Sequence, residues 1–187
     1  MSETPNGSAA SAPAVISSRS VYEGKIVNLR VDEIALPQGG TATREVVEHP
    51  GAVVIAAVDD SGQVYLVSQY RHAVGRSLLE LPAGALEDGE EPLFAAQREL
   101  GEEAGLAARE WIALGCFYSS PGFANERLYA FLARGLSSVE STPDFDEDLT
   151  VVKYPLDDLL RHLAEITDAK TLATLLLVRQ QLDAATR

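Results

Sequence analysis

Short stretches of apolar residues, some alternating with polar residues and some continuous, cover most of this sequence. Such stretches are typical of strands buried on one face or on both. The predicted strands are residues 18–36, 41–48, 52–58, 64–69, 111–118, 128–132 and 151–154. The run at 52–58 is apolar throughout, which favours a central strand, and the Asp-Asp-Ser-Gly turn at 59–62 predicts a hairpin with 64–69.

Apolar residues at helical spacing occur once in the middle of the chain and twice near its end. The first helix is predicted over residues 92–104, because Pro92 suits a first helical turn and Gly105 suits a C-terminal cap. Two further helices are predicted over residues 156–166 and 170–182. Many strands, one mid-chain helix and helices at the end favour an α+β layered domain.

The chain divides into three predicted regions. Residues 1–17, rich in Ser, Ala, Pro and Gly, predict a flexible tail, residues 18–48 a strand region, and residues 49–187 the main domain. A length of 187 residues, 46% of them hydrophobic, fits one principal core. No uninterrupted apolar stretch is long enough to span a membrane, and the N-terminus has neither the basic start nor the apolar block of a secretory signal.

The formal net charge of −13 disfavours non-specific binding to nucleic acid, whose phosphates are held by Lys and Arg. Phosphorylated small molecules stay possible if metal ions shield the charge, although acidity serving only solubility is the plainer alternative. Cys116 is the single cysteine, so an internal disulfide is excluded and a reducing, cytoplasmic location is favoured. Its apolar surroundings predict a buried, structural thiol.

The predicted mid-chain helix carries Glu99, Glu102 and Glu103 on one face. Like charges at these spacings repel, and glutamates near a helix C-terminus oppose the helix dipole. A hard divalent cation such as Mg²⁺, which prefers oxygen ligands, would make the cluster favourable. The alternative is an ordinary solvated acidic face. The residues predicted to bury the opposite face are Leu93, Ala96 and Leu100.

The spacing of the whole segment from Gly84 to Leu106 is more specific than its charge. It reads Gly, five residues, Glu, seven residues, then Arg-Glu-Leu-x-Glu-Glu-x-Gly-Leu. This pattern resembles the Nudix box with every fixed position filled. The filled positions are Gly84, Glu90, Arg98, Glu99, Leu100, Glu102, Glu103, Gly105 and Leu106.

The resemblance implies a Nudix-type α/β/α sandwich with a mixed sheet, preceded here by an N-terminal antiparallel strand region. It implies Mg²⁺ or Mn²⁺ as the cofactor and hydrolysis of a diphosphate bridge by water. The implied metal ligands are the Ala83 carbonyl, Glu99, Glu102, Glu103 and Glu147. Arg98 is expected to pair with Glu90, Gly84 to form a tight loop, and Gly105 to cap the helix.

Four further segments resemble the ADP-ribose pyrophosphatase subfamily: residues 69–71, 79–84, 120–122 and 166–171. The substrate-contacting residues that this resemblance implies are Arg44, Arg71, Glu80, Ala85, Ser120, Pro121, Gly122 and Glu126. Surface solubility is the alternative for both arginines, and a simple turn is the alternative for residues 120–122. Candidates for stacking on adenine are Tyr22, Tyr70, Tyr118 and Phe123, with core packing as the default for each.

The subfamily usually supplies its water-activating glutamate from a loop far beyond the box. Some relatives have two glutamates one residue apart there, where this sequence has Phe145 and Glu147. Glu147 is therefore the expected base, metal ligand or both, with Asp144 and Asp146 as open alternatives and Glu102 as a second catalytic candidate.

The resemblance thus implies hydrolysis of ADP-ribose to AMP and ribose 5-phosphate, with two or three Mg²⁺ ions. Other substrates stay open: NADH, a dinucleoside polyphosphate, CoA, a nucleotide sugar or an oxidised nucleotide. A non-catalytic Nudix-fold regulator is a further alternative, disfavoured because the box glutamates are intact. A homodimer is expected, in which residues 18–48 are long enough to exchange between subunits, and no nucleic-acid or membrane partner is expected.

Overall fold

A computed structural model describes residues 12–140 and 149–185 of the chain. It separates into two compact units, which are described one at a time. The first contains the described residues up to His49 together with Ser120–Asn125, and the second contains the remaining described residues.

The first unit is a three-stranded antiparallel sheet in the order β1 (Val15–Glu23), β2 (Asn28–Ala35) and β3 (Thr41–Glu48). The stretch predicted as one strand-like region, 18–36, is two antiparallel strands joined by a turn. Strand β1 begins inside the predicted tail, because its residues already pair with β2 from Val15 onward.

The second unit contains the remaining elements. Its described strands are β4 (Ala52–Ala57), β5 (Gln63–Arg71), β6 (Arg76–Glu80), β7 (Ala83–Ala85), β8 (Leu106–Tyr118), β9 (Arg127–Ser138) and β10 (Leu149–Pro155). Its described α-helices are α1 (Pro92–Ala104), α2 (Leu156–Arg161) and α3 (Ala169–Ala185). None of the described helices is long and apolar enough to cross a membrane.

These strands form one mixed sheet and one antiparallel sheet. The mixed sheet has the order β7-β4-β9-β8, in which only β4 and β9 run parallel, and the antiparallel sheet has the order β10-β5-β6. The predicted hairpin between β4 and β5 is confirmed at its turn but does not continue as a ladder between the two strands. At the turn, the Gly62 N–H donates to the Asp59 carbonyl. Strands β7 and β9 pair with the two edges of β4, so in the described part of the chain β4 and β5 are joined by a single bridge, Val58–Val64.

Strand β4 is buried throughout, as the apolar run predicted, and its alternate side chains enter two different cores. Val54 and Ala56 belong to a core that includes Leu159 of α2 and Leu175 of α3. The residues in the other core include Val53, Ile55 and Ala57 with Ala95, Ala96 and Leu100 of α1. Helices therefore cover both faces of the mixed sheet, and the predicted α+β sandwich is confirmed.

Several local predictions need correction. The helix predicted over 156–166 ends at Arg161, and a 3₁₀ turn follows at Leu163–Glu165. Cys116 is exposed rather than buried, because β8 is the outer strand of its sheet and leaves this part of the strand open. Strands β6 and β7 were not predicted, since Pro82 interrupts the segment and neither strand shows long alternation.

Candidate active site

The acidic helix α1 begins and ends where the sequence predicted. Pro92 stands in its first turn, and Gly105 has φ 64°, the left-handed conformation that favours glycine. The Gly105 N–H donates to carbonyls of the last helical turn. The buried apolar residues are Ala95, Ala96 and Leu100, whereas Leu93 is 38% exposed, contrary to prediction. Small side chains at 95 and 96 let the helix approach β4 closely.

Gly84 makes room for the Glu99 carboxylate. Gly84 lies in β7, paired with Val53 of β4, and an ideal Cβ at position 84 would stand 1.9 Å from Cδ of Glu99. Gly84 therefore lies in a strand and not in the predicted tight loop, and its φ is not positive, so the backbone conformation alone does not call for glycine. Glycine is needed because a carboxylate occupies the space that a side chain would fill.

Two of the three helix glutamates are buried beside β7. Glu99 is 8% exposed and Glu103 is 5% exposed, and the Ala83 N–H donates to Oε2 of Glu103 at 2.9 Å. An ordinary solvated face would leave both carboxylates in water, so that alternative does not describe them. Burying a carboxylate is unfavourable unless other groups compensate its charge.

Arg98 joins the box carboxylates. Its Nε and Nη2 donate to the two oxygens of Glu90 at 3.1 and 2.9 Å, so the predicted pair is present and bidentate. Its Nη1 donates to Glu99 at 2.7 Å and to Glu102 at 2.9 Å, and Nη2 also donates to the Ala85 carbonyl at 3.1 Å. Hydrogen bonds to Glu90 are the main cause that raises the pKa of Arg98, and they lower the pKa of Glu90.

A second ion cluster centres on Glu80, which is 1% exposed at the end of β6. Arg71 donates from Nε to Oε1 at 2.9 Å and from Nη2 to Oε2 at 2.8 Å, and the Lys170 ammonium also contacts Oε2. Burial alone would raise the pKa of Glu80, but hydrogen bonds from Arg71 and Lys170 outweigh it and lower that pKa. We name this group the Glu80 cluster, with Asp168 as its fourth member, 3.1 Å from Lys170.

The start of α3 is tied to the same segment. The Asp168 side chain accepts the Thr171 N–H at 3.0 Å, which caps the helix, and the buried Thr171 hydroxyl accepts the Leu81 N–H at 2.9 Å. The sequence singled out residues 166–171 only by resemblance. Their structural function is to hold the chain just before Ala83.

The other predicted substrate residues have varied surroundings. In the first unit, Arg44 is exposed on β3 and donates to the Thr43 carbonyl, and the Ser120 carbonyl accepts two N–H groups that close a turn through residues 120–122. In the second unit, Glu126 is half-buried just before β9, and Ala85 is exposed. The four aromatic candidates, Tyr22, Tyr70, Tyr118 and Phe123, are each more than half exposed, so core packing is wrong for all of them. Glu147, Asp144 and Asp146 lie outside the described residues.

The donors on α1 suit a hard divalent cation. Glu99 and Glu103 are buried carboxylates one helical turn apart, and Gly84 leaves the space that the Glu99 carboxylate occupies. Within residues 12–140 and 149–185, no group of three or more His, Cys, Asp or Glu side chains is arranged to hold a metal. A cation here would therefore take further oxygens from the backbone, water or substrate, as Mg²⁺ commonly does.

Comparison with known proteins places this geometry in a family. A sequence profile described as the NUDIX domain matches residues 47–175, more than half of the chain. The chain belongs to the Nudix family. A second profile, described as the nucleoside diphosphate sugar hydrolase N-terminal domain, matches residues 14–47, immediately before the Nudix domain.

Individual Nudix relatives match most of the chain. ADP-ribose pyrophosphatase of Mycobacterium tuberculosis is 44% identical over 168 residues, covering 87% of this chain and 81% of that protein. ADP-ribose pyrophosphatase of Bacillus subtilis is 42% identical over 160 residues, covering 83% and 86%. The methanol dehydrogenase activator of Bacillus methanolicus is 40% identical with the same coverage. A crystal structure of an ADP compounds hydrolase has a TM-score of 0.82 at 22% identity, covering 96% of this chain and 98% of that one, which supports the fold.

Proposed function

We propose that this Nudix hydrolase cleaves the diphosphate bond of ADP-ribose to give AMP and ribose 5-phosphate. The observation that carries the proposal is the buried Glu99–Glu103 pair, seated beside Ala83 and Gly84 of β7. Relatives named ADP-ribose pyrophosphatase, at 42% and 44% identity over most of the chain, support the choice of substrate.

The residues of the box fit a metal that works on a diphosphate. Glu99, Glu103 and the Ala83 carbonyl would hold Mg²⁺, with Mn²⁺ as the alternative and Glu102 as a further donor. When bound, the ion would neutralise the diphosphate and lower the pKa of a water molecule. Arg98 fixes the rotamers of Glu99 and Glu102, because its guanidinium is itself anchored on Glu90.

Arg71 is our proposed contact to the substrate phosphates. Glu80 occupies its Nε and Nη2, and Nη1 has no partner among the described residues, while the side chain is 39% exposed. A guanidinium that stays charged at all working pH values suits a phosphate oxygen. Glu80 itself is enclosed by cations, so it is a poor candidate for direct contact with substrate.

Glu147 is our proposed base for the attacking water, on the resemblance of residues 143–149 to the loop of the subfamily. Asp144 and Asp146 are its competitors. Kinetics of Glu147→Gln, Asp144→Asn and Asp146→Asn distinguish them. The expected result is that only Glu147→Gln lowers kcat by about 10²-fold or more, the effect of losing a positioned general base. An equal loss of kcat in Asp144→Asn or Asp146→Asn would assign the role of base to that aspartate instead.

A homodimer in the cytoplasm completes the proposal. Strand β1 carries the exposed apolar residues Val15, Ile16, Val21 and Tyr22, and among the described strands it pairs with β2 alone, which suits contact with a second copy. Light scattering on the purified chain should give twice the monomer mass. A monomer at micromolar concentration would remove the dimer from the proposal without touching the hydrolase.

The first experiment incubates purified protein and Mg²⁺ with ADP-ribose and, in parallel, NADH, diadenosine polyphosphates, CoA and ADP-glucose, with products separated by chromatography. We expect AMP and ribose 5-phosphate from ADP-ribose at the highest kcat/KM, and loss of this activity in Glu103→Gln. Glu110→Gln, an exposed change on β8, is the matched control and should keep full activity.

If another diphosphate in this set is hydrolysed faster, the proposed substrate is wrong but the proposed reaction, hydrolysis of a diphosphate bond, is retained. Absence of turnover for every compound, by folded protein supplied with metal, would rule out the hydrolase and favour a Nudix-fold binding protein. Product identity matters as well, since AMP with ribose 5-phosphate requires cleavage between the two phosphorus atoms of the bridge.

A further inference from the structure

We propose that Glu80 is a positioning residue for Arg71, and that it ties the arginine to Lys170 at the start of α3, on the same segment whose Ala83 N–H contacts Glu103. The proposal rests on the function proposed above, in which Arg71 meets the substrate. It replaces the sequence-based expectation that Glu80 contacts the substrate.

The first observation is the geometry of the pair. Arg71 uses the two nitrogens of one guanidinium edge, Nε and Nη2, on the two oxygens of Glu80 at 2.9 and 2.8 Å. Such a fork fixes the plane of the guanidinium as well as its position. The Arg71 side chain remains 39% exposed, whereas the Glu80 side chain is 1% exposed. The buried carboxylate therefore holds the exposed guanidinium in place.

The second observation is how Glu80 is itself held. Lys170 contacts the same oxygen, Oε2, that accepts from Arg71 Nη2, and Lys170 in turn lies 3.1 Å from Asp168. Asp168 caps α3 through the Thr171 N–H. The cluster thus contains two cations and two carboxylates, which compensates the charge that burial of Glu80 would otherwise leave.

The third observation connects the cluster to the acidic helix. Three successive contacts hold the chain from the end of β6 to β7: the Glu80 side chain with Arg71 and Lys170, the Leu81 N–H with Thr171, and the Ala83 N–H with Glu103. Hydrogen bonds to Glu80 are the main cause that raises the pKa of Arg71, and the charge of Glu103 adds a smaller contribution in the same direction. Residues 80–83 therefore connect the arginine proposed to contact a phosphate with the carboxylate proposed to bind the metal.

A double-mutant cycle tests the proposal with Glu80→Gln and Arg71→Ala, singly and together. The substrate is whichever diphosphate the wild-type protein hydrolyses best. Glu80→Gln keeps the shape and removes the charge that aligns the fork. We expect a fall in kcat/KM of about 10- to 100-fold, mostly through KM, as for a misplaced binding group. In the Arg71→Ala background the same change should alter kcat/KM by less than about threefold, since residues acting as a unit are not additive.

Equal losses in both backgrounds would overturn the proposal, because Glu80 would then act independently of Arg71. An unchanged KM in Glu80→Gln would overturn it too. Thermal unfolding of each variant confirms that folded protein is compared. If Glu80→Gln does not fold, Glu80→Asp replaces it, which keeps the charge but withdraws the carboxylate by one methylene. The effects of Glu80→Asp and Arg71→Ala on kcat/KM are also expected to be non-additive.

The outcome is separable from failure of the proposed function. If wild-type protein prefers another diphosphate to ADP-ribose, the substrate assignment fails while the cycle still measures whether Glu80 acts through Arg71. If ADP-ribose is hydrolysed and the cycle is additive, the function stands and the positioning role falls.

Discussion

Arg98 and Glu80 are centres of two ion clusters with opposite balances of charge. Arg98 is one cation shared by Glu90, Glu99 and Glu102, whereas Glu80 is one carboxylate shared by Arg71 and Lys170. The first cluster has more carboxylates than cations in its direct contacts and suits an added metal. The second is balanced once Asp168 is included, and it leaves an arginine partly exposed for an anion. The function proposed above uses both clusters, the first for the metal and the second for a phosphate.

The strongest test of the Arg98 side of this comparison is Gly84→Ala. The new Cβ would overlap the Glu99 carboxylate, which must leave its place, so we expect kcat/KM to fall by about 100-fold. Gly101→Ala is the matched control, because its Cβ would meet nothing closer than 3.9 Å and its helix should gain about 0.5–1 kcal/mol of stability. Hydrolysis rates and thermal unfolding measure both. Full activity in Gly84→Ala would mean that the position of Glu99 does not matter.

The sequence predicted helix α1 well but did not predict which of its surrounding polar groups are buried. Helix α1 was predicted with its correct ends, because Pro92, Gly105 and apolar spacing are local signals. The burial of Glu80 had no such signal, since its partners Arg71 and Lys170 are 9 and 90 residues away in the sequence. Burial of Ala95 in place of Leu93 depends on how closely the helix meets β4. Short-range patterns fix elements, whereas tertiary contacts decide which polar groups are enclosed.

The next largest effect is expected from Arg98→Lys. A lysine ammonium cannot donate to both oxygens of Glu90 and also reach Glu99. The free energy of unfolding should therefore fall by about 1–3 kcal/mol, and hydrolysis should slow. Urea unfolding and steady-state kinetics measure the change. Arg179→Lys, at an exposed site on α3, is the control. Equal stability of the two variants would show that charge alone, without the fork, holds the acidic cluster.

Lys170→Met tests the Glu80 cluster. Of the described partners of Glu80 it leaves Arg71, so we expect a loss of about 1–3 kcal/mol in unfolding free energy, since hydrogen bonds to charged groups are of this size. Lys153→Met removes an exposed lysine that lies 3.8 Å from Asp59 and over the Tyr65 ring, and it should lower the stability less than Lys170→Met does. If the two variants unfold at the same urea concentration, the Glu80 cluster contributes no more than a surface pair.

The smallest effect is expected in acid. Arg98 holds the pKa of Glu90 below its ordinary value of 4.5, so this pair stabilises the fold fully above that pH and is lost as pH falls through the lowered pKa. The stability gap between wild type and Glu90→Gln should therefore be widest near pH 7 and narrow below about 4.5. Urea unfolding at a series of pH values measures it. A gap that does not change with pH would contradict the pairing.

The parallel pairing of β4 with β9 has a consequence for biosynthesis. Ala52 lies beside Leu128 and Ala57 beside Ala133, so all of the acidic motif is synthesised before the strand that completes the central sheet. Parallel strands need a long crossover, and such distant pairs form late in folding. A nascent chain released between Leu106 and Arg127 would carry every fixed residue of the motif without the finished sheet beneath it. We therefore expect catalysis to appear only once the ribosome has passed β9.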